Sequence, residues 1–172
     1  MRVPEKLIGF RVYVNGTDQI GIADVQLPVL QSMSETVKGA GIAGEVDAPV
    51  KGHFGSMEVT FNWRTLDMSA VELMAPDVLQ MDLRGAQEVY DTTASKLVVQ
   101  PVKVVLTCRP KEMDPGKLDT GVQNGTSTKF EVMYEKITVD GTDVLEYDKY
   151  NYIYTVKGND YMSEIREALG LS

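Results

Sequence analysis

The chain has 172 residues, 43% of them hydrophobic, and a formal net charge of −8. That length and composition suit one domain with a real core and exclude a disordered polypeptide. The acidic balance excludes a binder held by phosphate contacts, and the longest apolar runs fall far short of the roughly 20 residues of a membrane span.

In chain order, the opening MRVPEKLIGF lacks the apolar centre of a signal peptide. Residues 10–14 read as a strand, with Phe10, Val12 and Val14 alternating against Arg11 and Tyr13. Asn15-Gly16 is a hairpin turn, and residues 20–27 are expected to return as the partner strand, stopped by Pro28. Residues 33–37 begin another strand that leads into a glycine-rich segment. There Gly39, Gly41, Gly44, Pro49, Gly52 and Gly55 predict a long irregular loop. Residues 56–64 alternate without a fault. Met57, Val59, Phe61 and Trp63 point one way, and Ser56, Glu58, Thr60, Asn62 and Arg64 the other, the pattern of a strand with one dry and one wet face.

Residues 69–74 predict a short helix closed before Pro76, and residues 78–90 and 96–109 predict two strands. Pro101 marks an edge or bulge in the second. Residues 110–129 read as a loop. Residues 130–139 form a strand whose phase slips, predicting a bulge near Glu135-Lys136. Asp140-Gly141 turns the chain and residues 144–156 return. A final helix over 160–169 carries Met162, Ile165 and Leu169 on one face, with Gly170 at its stop. Seven or so strands and one good helix predict a mainly-β fold, a small barrel or sandwich with the helix packed outside.

Chemistry is sparse. His53 is the only histidine, and no His-x-x-x-His or Cys-x-x-Cys motif accompanies it, so no metal or cofactor is expected. Cys108, the lone cysteine, lies in strand register among valines and reads as a packing residue in a protein made in a reducing cytoplasm. GAGIAG, residues 39–44, lacks the G-x-G-x-x-G spacing and any following helix, so it is no nucleotide site. No nucleophile–base pair supports an enzyme. Tyr150, Tyr152 and Tyr154, with Tyr147, are expected on one strand. They read as packing, and they leave open an alternative, a β-barrel module for a ligand or glycan.

Five motifs occur in order: PEKLIGFRVY (4–13), GAGIAGE (39–45), GHFGSM (52–57), NWR (62–64) and SEIREALGL (163–171). Together they resemble the major tail tube protein of contractile-tailed bacteriophages and R-type bacteriocins, over residues 1–172 as one tail tube domain. The resemblance implies a structural subunit, not an enzyme. Its copies would form hexameric rings stacked into a hollow tube inside a contractile sheath, each β-barrel joining its neighbours edge to edge. Partners implied are other copies, the sheath protein, the baseplate, and tape-measure or terminator proteins, with DNA passing unbound in a phage and no membrane anchor. Synthesis is implied in the bacterial cytoplasm, with the product in a virion or extracellular tail-like particle.

On that reading residues 39–55 form an extended loop between rings, in which Gly39, Ala40, Gly41, Ile42, Ala43, Gly44, Val46, Val50, His53 and Phe54 make the contact. Ser56, Glu58, Thr60, Asn62 and Arg64 are expected to face the bore, which an acidic lining would keep free of adhering DNA.

Overall fold

The computed structural model describes residues 1–171. Its strands are β1 (Arg2–Val14), β2 (Thr17–Asp18), β3 (Ile22–Gln26), β4 (Ser32–Lys38), β5 (Glu45–Phe54), β6 (Glu58–Trp63), β7 (Leu79–Asp91), β8 (Lys96–Asp114), β9 (Ser127–Val139), β10 (Thr142–Asp148), β11 (Ile153–Val156) and β12 (Asn159–Asp160). Two short helices, α1 (Met68–Glu72) and α2 (Ser163–Ala168), complete the described residues. The fold is mainly β, as the alternation predicts.

Ten strands make one antiparallel sheet in the order β12-β11-β10-β9-β8-β7-β1-β2, with β6 joined to β9 and β3 to β6. The sheet is not closed into a barrel. Instead, β1 and the segment leading into β3 border an open cleft of about 360 Å³ lined by Gly9, Val12, Ile20, Ala23 and Arg64. The core gathers Val12, Met57, Val59, Phe61, Trp63, Met81, Leu106, Cys108, Phe130 and Val132, all buried. Phe61 anchors it, 5.2 Å from the Phe130 ring and 6.4 Å from that of Trp63. Aromatic contacts of this kind add about 0.5–1.5 kcal/mol each beyond area burial.

The long strands β7, β8 and β9 form the spine. On one edge β9 pairs with β8 along most of its length, and its other edge serves two partners in succession. Residues 127–131 pair with β6 and residues 134–139 with β10. The partner change coincides with a bulge: Thr107 faces Tyr134 but Cys108 faces Val132, leaving Met133 extra. The expected phase slip is therefore real, two residues earlier than Glu135-Lys136. Before it Thr128, Phe130 and Val132 face the core; after it Glu135 does.

Several other expectations are corrected. Residues 20–27 do not return on β1. β2 makes that hairpin across Asn15-Gly16, Gly21 turns at φ 103, and β3 crosses to β6. The expected loop over 110–129 shrinks because β8 runs on to Asp114 and β9 begins at Ser127. Pro101 does mark an edge, since β8 pairs with β9 only from Val102 onward. Residues 144–156 are interrupted by a turn at 149–152, where Tyr152 has φ 52, so Tyr150 and Tyr152 are not on a strand face. A two-residue turn at Lys157-Gly158 leads into β12, so the final helix begins at Ser163 rather than at residue 160. α2 is only six residues long, and Leu169 is 55% exposed while Met162 is buried. Gly170 ends it with φ 71, and the Leu171 N–H reaches back to the Arg166 carbonyl.

Candidate assembly surfaces

The glycine-rich segment is not an irregular loop. β4 and β5 pair only with each other, in a second sheet apart from the first, and every residue over 31–47 is exposed. Lys38 pairs with Glu45 across a tip of six residues, Gly39, Ala40, Gly41, Ile42, Ala43 and Gly44. The three tip glycines have positive φ, which lets the chain reverse there.

Register sorts the ribbon into two faces. Val37 faces Val46 and Glu35 faces Ala48, so these four share one side, with Met33 continuing it. The other side carries Thr36 with Asp47, Lys38 with Glu45, and Ser34 with Pro49. One face is thus largely apolar, yet Met33, Val37 and Val46 are 55%, 42% and 52% exposed. A two-stranded ribbon is marginal in water by itself, and an apolar stripe on one marks a surface meant to be covered.

At its base the ribbon is bolted to the domain. Ser32 faces Phe54 while Ser34 faces Pro49, so residues 50–53 bulge out opposite Met33 alone. Val50, at the start of the bulge, is 45% exposed. Phe54 turns inward, with its ring 4.9 Å from that of Tyr147 and 5.2 Å from that of Tyr154, both edge-on. His53 meets Tyr152 at 6.5 Å. The sequence-predicted contact set therefore divides. Residues 39–44 and Val46 lie on the free ribbon, Val50 and His53 lie in the bulge at its base, and Phe54 is its anchor. Met33 and Val37 belong to the apolar face and are missing from that set; their alternation with Ser34 and Thr36 was the available signal.

The second predicted surface holds its two-faced pattern. Met57, Val59, Phe61 and Trp63 are 0–2% exposed, and the Trp63 indole N–H donates to Thr128 Oγ1 at 3.1 Å. On the outer side the Ser56 hydroxyl donates to Glu131 Oε2 (2.7 Å) and Asn62 Nδ2 to Asp24 Oδ1 (2.6 Å). Lys111 donates to Glu58 and lies 3.5 Å from Glu131, and this holds the Glu58 carboxyl below its ordinary value. Thr60 sits between them opposite Lys129, and Arg64 lies exposed just past the strand end. The strand is six residues rather than nine, and both its edges are already paired. Lys111 thus lies within ion-pair reach of both Glu58 and Glu131, whereas Asp24 meets the neutral Asn62 amide.

Among the described residues no cluster of His, Cys, Asp or Glu could hold a metal ion, and no helix is long and apolar enough to cross a membrane. The four tyrosines are scattered between core and turn, which removes the platform on which the glycan alternative stood.

A family model described as phage tail tube protein FII matches residues 4–170. The chain is 31% identical over 173 residues to the major tail tube protein of Serratia phage KSP20, spanning 99% of each chain. It is 30% identical over 178 residues to the tail tube protein of Escherichia phage P2, covering 99% of this chain and 100% of that one. With a free-standing apolar ribbon, a two-faced sheet and a match from end to end, the chain belongs to the phage tail tube protein FII family.

Proposed function

We propose that the chain is a structural subunit of a phage tail tube, whose copies form hexameric rings that stack into a hollow tube within a contractile sheath. The observation that supports this most is the β4–β5 ribbon, which projects an apolar face that its own domain does not cover. Stacking one ring on the next would bury that face, and a head-to-tail contact between different patches is the kind that propagates into an open filament. Joining within a ring would use a strand edge that is still free. β1 offers the longest, because β2 pairs only with Tyr13 and Val14.

The outer face of β6, with Ser56, Glu58, Thr60, Asn62 and Arg64, is proposed to look into the bore. On that face Glu58 is ion-paired with Lys111, and Ser56 and Asn62 donate to the carboxylates of Glu131 and Asp24, so the surface offered to a passing molecule is wetted and polar.

The test is negative-stain imaging of Val37→Asp and Val46→Asp proteins at concentrations where the wild type forms tubes. Both residues are exposed, so each variant should fold and remain soluble but fail to stack. Tubes of normal length from both would overturn the ribbon's role. For the bore, cysteines placed at Thr60 and Asn62 should react with a thiol reagent in open-ended tubes but not in tubes plugged at both ends.

A further inference from the structure

Glu135 is the outlier of the core. It is 1% exposed, its Oε2 has no hydrogen-bond partner, and across the ladder it lies between Leu106 of β8 and Tyr147 of β10. The Met133 bulge puts it there, by shifting the phase of β9 where that strand exchanges β6 for β10. A buried carboxylate without a partner is strongly disfavoured in its charged form.

The groups facing it do not supply a counter-charge. From β8 comes the Cys108 thiol, pushed up to about 12 by burial and therefore neutral. From β10 comes the Tyr147 phenol, also raised by burial, and beyond the strand end Lys149, whose ammonium is committed to the Gly55 carbonyl at 2.9 Å and lies 4.0 Å from Glu131. β11 contributes Tyr154, and β5 contributes Phe54 and, on its outer side, His53 against Tyr152. Burial alone raises the Glu135 carboxyl to about 7.

Tyr147 is also the residue on which Phe54, the foot of the ribbon, rests. We propose that Glu135 is a proton-controlled latch on the ribbon's anchor: neutral, it lets β10 seat on the core and Tyr147 hold Phe54, and ionised, it draws water into that seam and frees the base of β5. Its bearing on assembly rests on the ribbon joining one copy to another; the latch itself does not.

Amide hydrogen exchange on the full chain, kept dilute and unassembled, tests it independently of that reading. With rates corrected for intrinsic pH dependence, opening of the Phe54, Tyr147 and Glu135 amides should rise tenfold or more from about pH 5.5 to about pH 8. In Glu135→Gln and Glu135→Leu it should be flat. Imidazoles as a class titrate near neutrality, so His53→Asn serves as control and should keep the wild-type dependence. A flat wild-type profile, a dependence that survives in both Glu135 variants, or one that disappears in His53→Asn would each overturn the latch. Normal tubes from the ribbon variants would remove its link to assembly and leave the exchange result standing.

Discussion

The thioether of Met162 occupies the space that a side chain on Gly52 would need. A Cβ built there meets Met162 Sδ in hard overlap, with Cε at 3.0 Å and Cγ at 3.2 Å, and Gly52 has φ 70. The residue before α2 thus closes directly over the bulge that aims the ribbon. Gly52→Ala combines a left-handed backbone with a displaced thioether and should lower stability by about 1–3 kcal/mol. Met162→Ala should be destabilising by itself, because Met162 is buried, yet the double variant should lose less than the sum of the two. Urea unfolding of all three, read as a double-mutant cycle, checks the coupling.

Trp63→Ala should lower stability by about 3–5 kcal/mol, the range for a fully buried aromatic. Trp63→Phe keeps most of the packing but leaves Thr128 Oγ1 without its indole donor, so a smaller loss of about 1–2 kcal/mol is expected. Chemical denaturation followed by far-ultraviolet circular dichroism measures both, since the only tryptophan is the one removed.

Stability should fall as pH rises from about 5.5 to about 8. The folded chain holds the Glu135 proton up to about 7, against an ordinary value of 4.5. The native state therefore binds the extra proton between those limits. The stability from this group is full below 4.5 and is lost as pH climbs through 7. The loss across the tested window is roughly 2 kcal/mol. Glu58, Asp91, Asp143 and Asp160 are shifted downward, so their contributions are lost only in more acidic solution. Glu135→Gln should abolish the slope and unfold at higher urea than wild type at about pH 8.

Cys108 should be inert in the folded protein. It is buried, its thiol is pushed up to about 12, and its neighbours are the Leu79 carbonyl and Met81 Sδ at 3.8 and 3.4 Å. Labelling by a disulfide reagent should proceed only through global unfolding and slow in step with stability. Rapid labelling in native buffer would contradict the packing of β7 on β8.

The two-faced strand was legible because all four inward positions of residues 57–63 are large and apolar, so period two stands out. Val46, Ala48 and Val50 alternate just as regularly, but Gly44, Pro49 and Gly52 mask them. The ribbon also has no core of its own to enforce larger residues. Glu135 was out of reach for a different reason. Its burial follows from one extra residue at Met133, and the slip, though legible in the phase of residues 130–139, points two residues too late, on Glu135 itself, so it does not say to which face Glu135 turns. The family motifs fall largely on the tip, the bulge and α2, places where glycine or a helix stop is required by geometry.

The start of the chain is fastened to its middle. The Met1 ammonium donates to Thr93 Oγ1, the Met1 carbonyl accepts from the Thr92 N–H, and β1 pairs along its length with β7. On the ribosome β1 therefore emerges without its partner and waits for some eighty further residues, on the order of ten seconds at bacterial elongation rates. During that wait Leu7, Ile8 and Phe10 form an open sticky edge. Two register irregularities, Pro4 and Lys6 interrupt that edge, features that discourage pairing with stray strands. Its high contact order makes folding slow as well. A nascent chain is thus held back from premature pairing at the edge that β7 later takes.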